Sequence, residues 1–232
     1  YLQDMLQIFH PSKITAADLS DKLAKLKHES PKVPLIVGIG GPDECGHVFF
    51  VRELTEALED HELLVSGLDL SQVLGSEFQK HHMLGTNSRS TLWRSEEIQN
   101  WIVEDVMRPY SNGQQVFFEK LPDMIHDFEI TTTPFFLAPE MIMLVWGTTV
   151  FLPEMENLID LRVLLELSDK TAAARMFSLD ERENFDHSFV ETYLKKEGKY
   201  YSDYLYKFKV HEHIDYLVDF DNFNAFRMKK TS

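Results

Sequence analysis

The hydrophobic positions near the start of the chain alternate between helical and extended spacing. Leucines at helical spacing predict a helix over 12–28, which Thr15 can cap. An apolar run rich in β-branched residues predicts a strand over 33–39. Helical spacing returns over 48–58, and a second apolar run covers 63–66. This order of strand, glycine turn, helix and strand predicts a βαβ unit whose two strands pair with each other in parallel.

The same alternation continues to the end of the chain. Apolar residues on one face predict a helix over 93–107, which ends before Pro109 and Gly113. The remaining predictions are short strands over 115–118 and 128–132, buried strands over 141–145 and 161–167, helices over 169–179 and 188–206, and a last strand over 214–220.

Helices and strands that alternate in this way predict one α/β domain over residues 1–232, doubly wound, with a mostly parallel sheet. Residues 1–30 form its N-terminal helical segment. Ligands of such folds bind at the carboxyl ends of the strands. The turns after Ile39, Ser66 and Val145 are therefore the candidate positions for a site.

The net charge of −15 excludes whole classes of partner. Nucleic acids and anionic membrane surfaces are bound chiefly through Lys and Arg, so we expect neither. No apolar run approaches the roughly 20 residues that span a bilayer. The single cysteine, Cys45, cannot form an internal disulfide and fits a reducing compartment. We expect a soluble protein of the cytoplasm.

A glycine-framed segment follows the first strand and is similar to a phosphate-binding loop. The working pattern is G-x-x-x-x-G-K-[ST], in which backbone N–H groups cradle phosphates, Lys reaches the outer ones and the hydroxyl binds Mg²⁺. The segment here reads Gly41-Pro42-Asp43-Glu44-Cys45-Gly46-His47-Val48. His replaces Lys and Val replaces Ser or Thr, while the two acids repel a phosphate by up to about 4 kcal/mol each at 4 Å. A plain glycine turn is the competing interpretation.

From this loop onward the chain resembles the uridine kinase and phosphoribulokinase family, particularly its bacterial uridine-kinase-like branch. Residues 37–43 resemble the first strand and loop of that family, and 65–70 its second strand, which ends in S-x-D-D-F. Residues 144–152 resemble the segment [DE]-G-x-F-L. Weaker matches are residues 160–167 to a strand of the family and 173–175 to the A-R-R start of its lid helix. Residues 200–206 and 218–221 resemble its Y-x-x-x-x-x-Y and V-D-N endings. The resemblance implies a P-loop kinase fold in which about 169–206 is a lid-like helical region.

The family moves the γ-phosphoryl group of a nucleotide onto a hydroxyl of a nucleoside or similar metabolite, and this chain departs from its pattern at four places. His47 and Val48 stand where the loop Lys and hydroxyl are implied. Leu68 stands at the implied base, and only Asp69 remains of the acid pair. Trp146 stands at the position implied for an acid, directly before Gly147. In the lid, Met176 and Leu179 stand at two positions implied for cations, and only Arg175 and Asp180 remain of that pattern.

These departures predict a uridine-kinase-like domain that has lost ATP-dependent phosphoryl transfer and acts by binding, as a regulatory or assembly subunit with a protein partner or a small phosphate or nucleoside ligand. One alternative is a divergent kinase that uses His47, Asp69 and Arg175, with ATP and Mg²⁺ as cofactors only if the loop is competent. Another is a structural interaction protein whose acidic surface docks a basic partner. We expect no resident metal, since the histidines lack further ligands at metal spacing.

Two other groups have a functional and a structural interpretation. Asp69 is either a surviving catalytic base or a helix-capping or solvated strand-end acid. The tyrosines of 193–206 either cover a nucleoside base, or pack in the core or against a partner, which their helical spacing favours.

Overall fold

The computed structural model describes residues 12–42, 46–70, 100–123, 131–168, 170–172, 174 and 187–221. Its strands are β1 (Ser12–Lys13), β2 (Leu35–Gly40), β3 (Val65–Asp69), β4 (Val116–Asp123), β5 (Thr131–Leu137), β6 (Ile142–Trp146), β7 (Leu161–Glu166) and β8 (Tyr216–Asp219). Its helices are α1 (Ala16–Glu29), α2 (His47–Glu59), α3 (a π-helical part, Ile102–Met107, continued by Arg108–Ser111), α4 (Pro153–Glu156) and α5 (His187–Lys207), with a 3₁₀ turn at Val210–Glu212.

Six of the described strands form one parallel sheet in the order β1-β8-β7-β2-β6-β3. The predicted doubly wound α/β fold is confirmed. The strands of the first βαβ unit are parallel but do not pair with each other, because β6 lies between β2 and β3. The buried strands predicted over 141–145 and 161–167 are β6 and β7, and burial on both faces of the sheet accounts for their continuous apolar sequence.

Side chains of β2 and β6 point alternately into two apolar cores, one on each face of the sheet. Val37, Ile39 and Leu144 pack with α1 and α2. Ile36 and Val145 pack with α3, α5 and the β4–β5 hairpin. The helices therefore cover the sheet on both faces, which leaves its strand ends as the place for a site.

Helix α1 begins four residues later than its hydrophobic pattern predicted. Thr15 is the N-cap, as predicted, and its side chain accepts from the backbone N–H of Asp18 while the Asp18 carboxylate accepts from Thr15. The predicted start at Ser12 was wrong, because Ser12–Lys13 pair with β8 as a short edge strand.

Helix α3 continues through Pro109 instead of ending before it. The N–H of Arg108 bonds to the carbonyl of Val103, five residues back, which is π-helical spacing. This π-helical part lies directly before Pro109, which has no N–H and cannot make the α-helical bond to the fourth preceding residue. Gly113, with φ of 77°, follows the end of the helix at Ser111, four residues beyond the predicted end at 107. Two short strands were predicted over 115–118 and 128–132; the structure has β4 and β5 there, paired antiparallel, but β4 runs on to Asp123 and β5 to Leu137. Phe118 packs its ring against Trp101 of α3.

Candidate functional site at the carboxyl edge of the sheet

The carboxyl ends of β2, β6 and β3 lie side by side. Trp146 is opposite Ile39 on one side and Asp69 on the other. The backbone N–H of Gly147 donates to Ile39 across the edge at 3.2 Å. The three strand ends thus meet at one edge, as predicted, but the turn predicted after Ser66 was wrong, because β3 continues to Asp69.

The glycine turn joins the end of β2 to the start of α2. Gly40 ends the strand, and Gly41 is buried. Gly46 caps α2 with φ of 75° and ψ of 55°, a left-handed conformation that favours glycine. Helix α2 begins at His47, one residue before the predicted start. This is the strand, turn and helix arrangement that the sequence predicted, whereas the loop residues Asp43, Glu44 and Cys45 lie outside the described residues.

The first two residues of α2 have opposite environments. His47, at the position implied for the phosphate lysine, is 8% exposed, and the side chain of Val48 is 53% exposed. The backbone N–H of Phe49 donates to Gly46, and its ring contacts the Arg52 guanidinium. A hydrocarbon side chain therefore faces solvent where the loop pattern implies a metal-binding hydroxyl.

The last residues of β3 place a leucine, not an acid, inside the molecule. Leu68, at the position implied for the base, is 2% exposed and packs in the core on the α3 side. Asp69 is only partly buried. Leu70 is 1% exposed and packs against Gly147, whose φ of 151° suits glycine. Of the implied acid pair, only Asp69 remains available for chemistry at this edge.

Trp146 ends β6 and covers part of β3. A Cβ on Gly67 would lie 2.7 Å from the Trp146 ring, so the indole rests directly on the strand backbone. The indole N–H is buried and, among the described residues, has no hydrogen-bond partner. The Oγ1 of Thr149, in the next turn, is also buried and also has no hydrogen-bond partner among the described residues. The acid implied before Gly147 is thus replaced by a bulky half-buried ring.

A buried aromatic residue packs against the carboxyl end of β2, just before the glycine turn. The ring of Phe151 packs against Gly38 and Gly40, where a side chain on either glycine would collide with it or press against it. The backbone N–H of Phe151 donates to the Tyr204 hydroxyl of α5 at 3.0 Å. The sequence pattern groups Tyr204 with the other tyrosines of 193–206 and assigns Phe151 no role. The available signals were the two alternate glycines in β2 and the helical spacing of Tyr204.

The amino ends of the strands are held by side chains from distant elements. The Tyr110 hydroxyl accepts from the N–H of Leu35 at 3.0 Å and donates to Met141 at 2.7 Å, and burial raises its pKa to about 12. Asp160 accepts from Ile36, and burial also raises the pKa of its carboxyl group. Buried Lys27 donates to two carbonyl groups, and desolvation lowers its pKa. This edge carries structural bonds, in contrast to the glycine-rich opposite edge.

Several predicted positions cannot be placed against this edge. The lid residues Arg175, Met176, Leu179 and Asp180 lie outside the described residues, and so does most of the helix predicted over 169–179. In the described part of the chain, no three His, Cys, Asp or Glu residues are grouped to hold a metal ion. No described helix is long and apolar enough to cross a membrane.

Comparison with protein-family models gave no match, and comparison with curated proteins gave none either. Solved structures do match. A possible uridine kinase from Bacillus stearothermophilus is 15% identical, with a TM-score of 0.54, over 87% of this chain and 98% of that one. A candidate fructose transport system kinase from Silicibacter sp. TM1040 is 15% identical, with a TM-score of 0.59, over 88% and 98%. The parallel sheet, its glycine turn and these two structures together show that the chain has the α/β fold of the P-loop kinases.

Proposed function

We propose that this P-loop kinase-like domain has lost ATP-dependent phosphoryl transfer and acts by binding, as a regulatory or assembly subunit of the uridine-kinase-like type. The observation that carries the proposal is Leu68, an apolar side chain packed in the core at the position where the resemblance implies the catalytic base. A leucine side chain cannot accept a proton. Because it is buried, no water molecule can occupy its position and accept the proton instead. The change is therefore built into the packing of the fold.

The neighbouring positions support the same conclusion. Phosphoryl transfer depends on positioned cations that neutralise developing charge. Exposed Val48 offers no metal ligand, and the Trp146 ring occupies the place of an acid. Loss of a single stabilising donor typically lowers kcat by about 10²–10³, and losses among groups that act together do not simply add. Losses at several positions leave little of the original rate.

The ligand that fits what remains is a small anion or a nucleoside held near the glycine turn, without the metal that ATP requires. A divergent kinase is the second candidate, because Asp69 is partly accessible beside Trp146 and His47 begins α2. The two structural neighbours bear kinase names, one for uridine and one for fructose transport. Either substrate class is therefore a reasonable test compound.

Calorimetric titration with Mg·ATP separates the two candidates. We expect no heat from the wild-type protein at millimolar nucleotide, and no transfer of labelled γ-phosphate to uridine or fructose. The variant His47→Lys/Val48→Thr restores the loop pattern at two positions. It should gain Mg²⁺-dependent binding, because it supplies the missing charge and hydroxyl.

Phosphate transfer by the wild-type protein that Asp69→Asn abolishes would overturn the proposal in favour of the divergent kinase. Absence of binding to ATP, inorganic phosphate and uridine alike would instead favour an interaction protein. Circular dichroism of each variant checks that the fold is retained, so that a lost signal is not mistaken for lost chemistry.

A further inference from the structure

The carboxyl end of β2, which leads into the glycine turn, rests on the ring of Phe151. This ring is 2% exposed, and it would overlap a Cβ placed on Gly40 and lie 3.0 Å from one placed on Gly38. Two alternate positions of β2 are therefore in direct backbone contact with one aromatic face. Because packed interiors have little free space, the ring cannot shift without moving the end of the strand that leads into the turn.

Phe151 is in turn fixed by α5. Its own N–H lies in the irregular segment after β6 and finds its acceptor in the hydroxyl of Tyr204, 53 residues further along the chain. Tyr204 is 4% exposed, and its ring stacks on Tyr201 and packs against Phe208. Burial raises the pKa of Tyr204, so its hydroxyl stays protonated at neutral pH. The hydroxyl is thus a rigidly held acceptor for a backbone group outside the sheet.

We propose that Tyr204 is a positioning residue for the carboxyl end of β2, from which the glycine turn begins, and acts on it through Phe151. The connection runs from α5 to the N–H of Phe151 and from the ring of Phe151 to Gly40. It goes beyond the proposed function, because it holds for the unliganded protein whether or not the turn binds a nucleotide. It also links the end of β2 to α5, which lies within the lid-like region predicted over about 169–206.

Amide hydrogen exchange of the full chain, followed by NMR, tests this connection in Tyr204→Phe. Glycine-selective ¹⁵N labelling limits the spectrum to the ten glycines, which include Gly38, Gly40 and Gly41. The matched control is Tyr110→Phe, because Tyr110 is also buried and its hydroxyl also accepts from a backbone N–H, at the opposite end of β2. Gly113, beside Tyr110, serves as the internal reference.

We expect exchange at Gly40 and Gly41 to accelerate about tenfold in Tyr204→Phe and to stay unchanged in Tyr110→Phe, since about 1.4 kcal/mol of lost bonding changes a local opening equilibrium tenfold. An equal acceleration at all glycines, or none at Gly40, would show that Tyr204 only stabilises the fold and would overturn the proposal.

Phe151→Leu keeps the bond from the backbone N–H to Tyr204 but removes the aromatic face. It should accelerate exchange at Gly38 and Gly40 and leave Gly113 unchanged. If Tyr204→Phe does not fold, this second variant decides the question, and unaltered exchange at Gly40 refutes the connection.

Discussion

Gly67 and Gly198 differ in what an added methyl group would meet. On Gly67 it would press into the Trp146 ring at 2.7–2.8 Å, whereas on Gly198, within α5, it would meet nothing within 4 Å. Overpacking typically costs about 1–3 kcal/mol, and replacing an exposed helical glycine by alanine gains roughly 0.5–1 kcal/mol. We therefore expect Gly67→Ala to lower the free energy of unfolding and Gly198→Ala to raise it, both measured by urea denaturation.

The double variant Gly67→Ala/Trp146→Leu identifies the cause of the first effect. If the indole is what the new methyl group strikes, the cost of Gly67→Ala should shrink in the Trp146→Leu background. An unchanged cost would mean that the methyl group strains β3 for another reason.

Tyr110 makes a pH-dependent contribution to stability whose sign follows from its raised pKa. The folded protein holds this proton up to about pH 12, whereas the unfolded chain releases it near pH 10. The stabilisation by Tyr110 is therefore fully present below pH 10 and is lost as the pH rises from 10 to 12. Over that range the loss is on the order of 2 kcal/mol.

Tyr110→Phe should accordingly be less stable than wild type by about 1–3 kcal/mol at pH 8, because two backbone groups lose their partner. This difference in the free energy of unfolding should be smaller at pH 11, because the wild-type protein loses the stabilisation by Tyr110 as the pH rises and the variant has no such stabilisation to lose. Urea denaturation of both proteins at the two pH values measures this. The other titrating groups are common to both proteins, so their effects cancel in this difference. A difference that stays constant or grows between pH 8 and pH 11 would contradict the raised pKa of Tyr110.

Single residues were predictable where their signal is local. Thr15 precedes the helix that it caps, and Gly46 precedes α2, so a short stretch of sequence is sufficient to identify them. Tyr204 and Tyr110 bond to backbone groups 53 and 75 residues away. A tyrosine with a distant partner has the same local pattern as one that merely fills the core, and for this reason sequence analysis missed both roles.

At the scale of elements, the start of α1 depends on one side chain and its reciprocal partner. The Thr15 hydroxyl accepts from the N–H of Asp18, and hydrogen bonds to Thr15 lower the pKa of the Asp18 carboxyl group. Thr15→Ala should reduce stability by about 1 kcal/mol, whereas Thr15→Ser should retain most of it. Thermal denaturation of the two variants tests this, and equal losses would show that the hydroxyl does not stabilise α1.

Element boundaries were less predictable than element types. The hydrophobic pattern located α1, α2 and α5 correctly, but it could not show that Ser12–Lys13 join the sheet edge, because such pairing depends on β8. It also placed a helix end at Pro109, where a preceding π-helical stretch lets α3 continue. Packing partners and hydrogen-bond register, which no local pattern contains, decided both boundaries.

At the scale of the whole molecule, the fold class followed from the sequence and the order of strands did not. Buried parallel strands share one apolar pattern, so β6 and β7 are equally plausible neighbours for any other strand. The candidate site is less sensitive to this order, because every parallel strand ends at the same edge. This is why the sequence located the correct edge, although β3 ends three residues beyond the predicted Ser66 and pairs with β6 and not with β2.

The place of β2 between β6 and β7 also has a consequence during synthesis. The ribosome releases β2 and α2 roughly a hundred residues before β6 follows, and chains of this size fold through intermediates with unpaired strand edges. Until then both edges of an apolar strand stay open, and its glycines lack the ring of Phe151. The nascent chain therefore carries an apolar strand with two open edges early, and those edges are covered only when β6 and β7 have emerged.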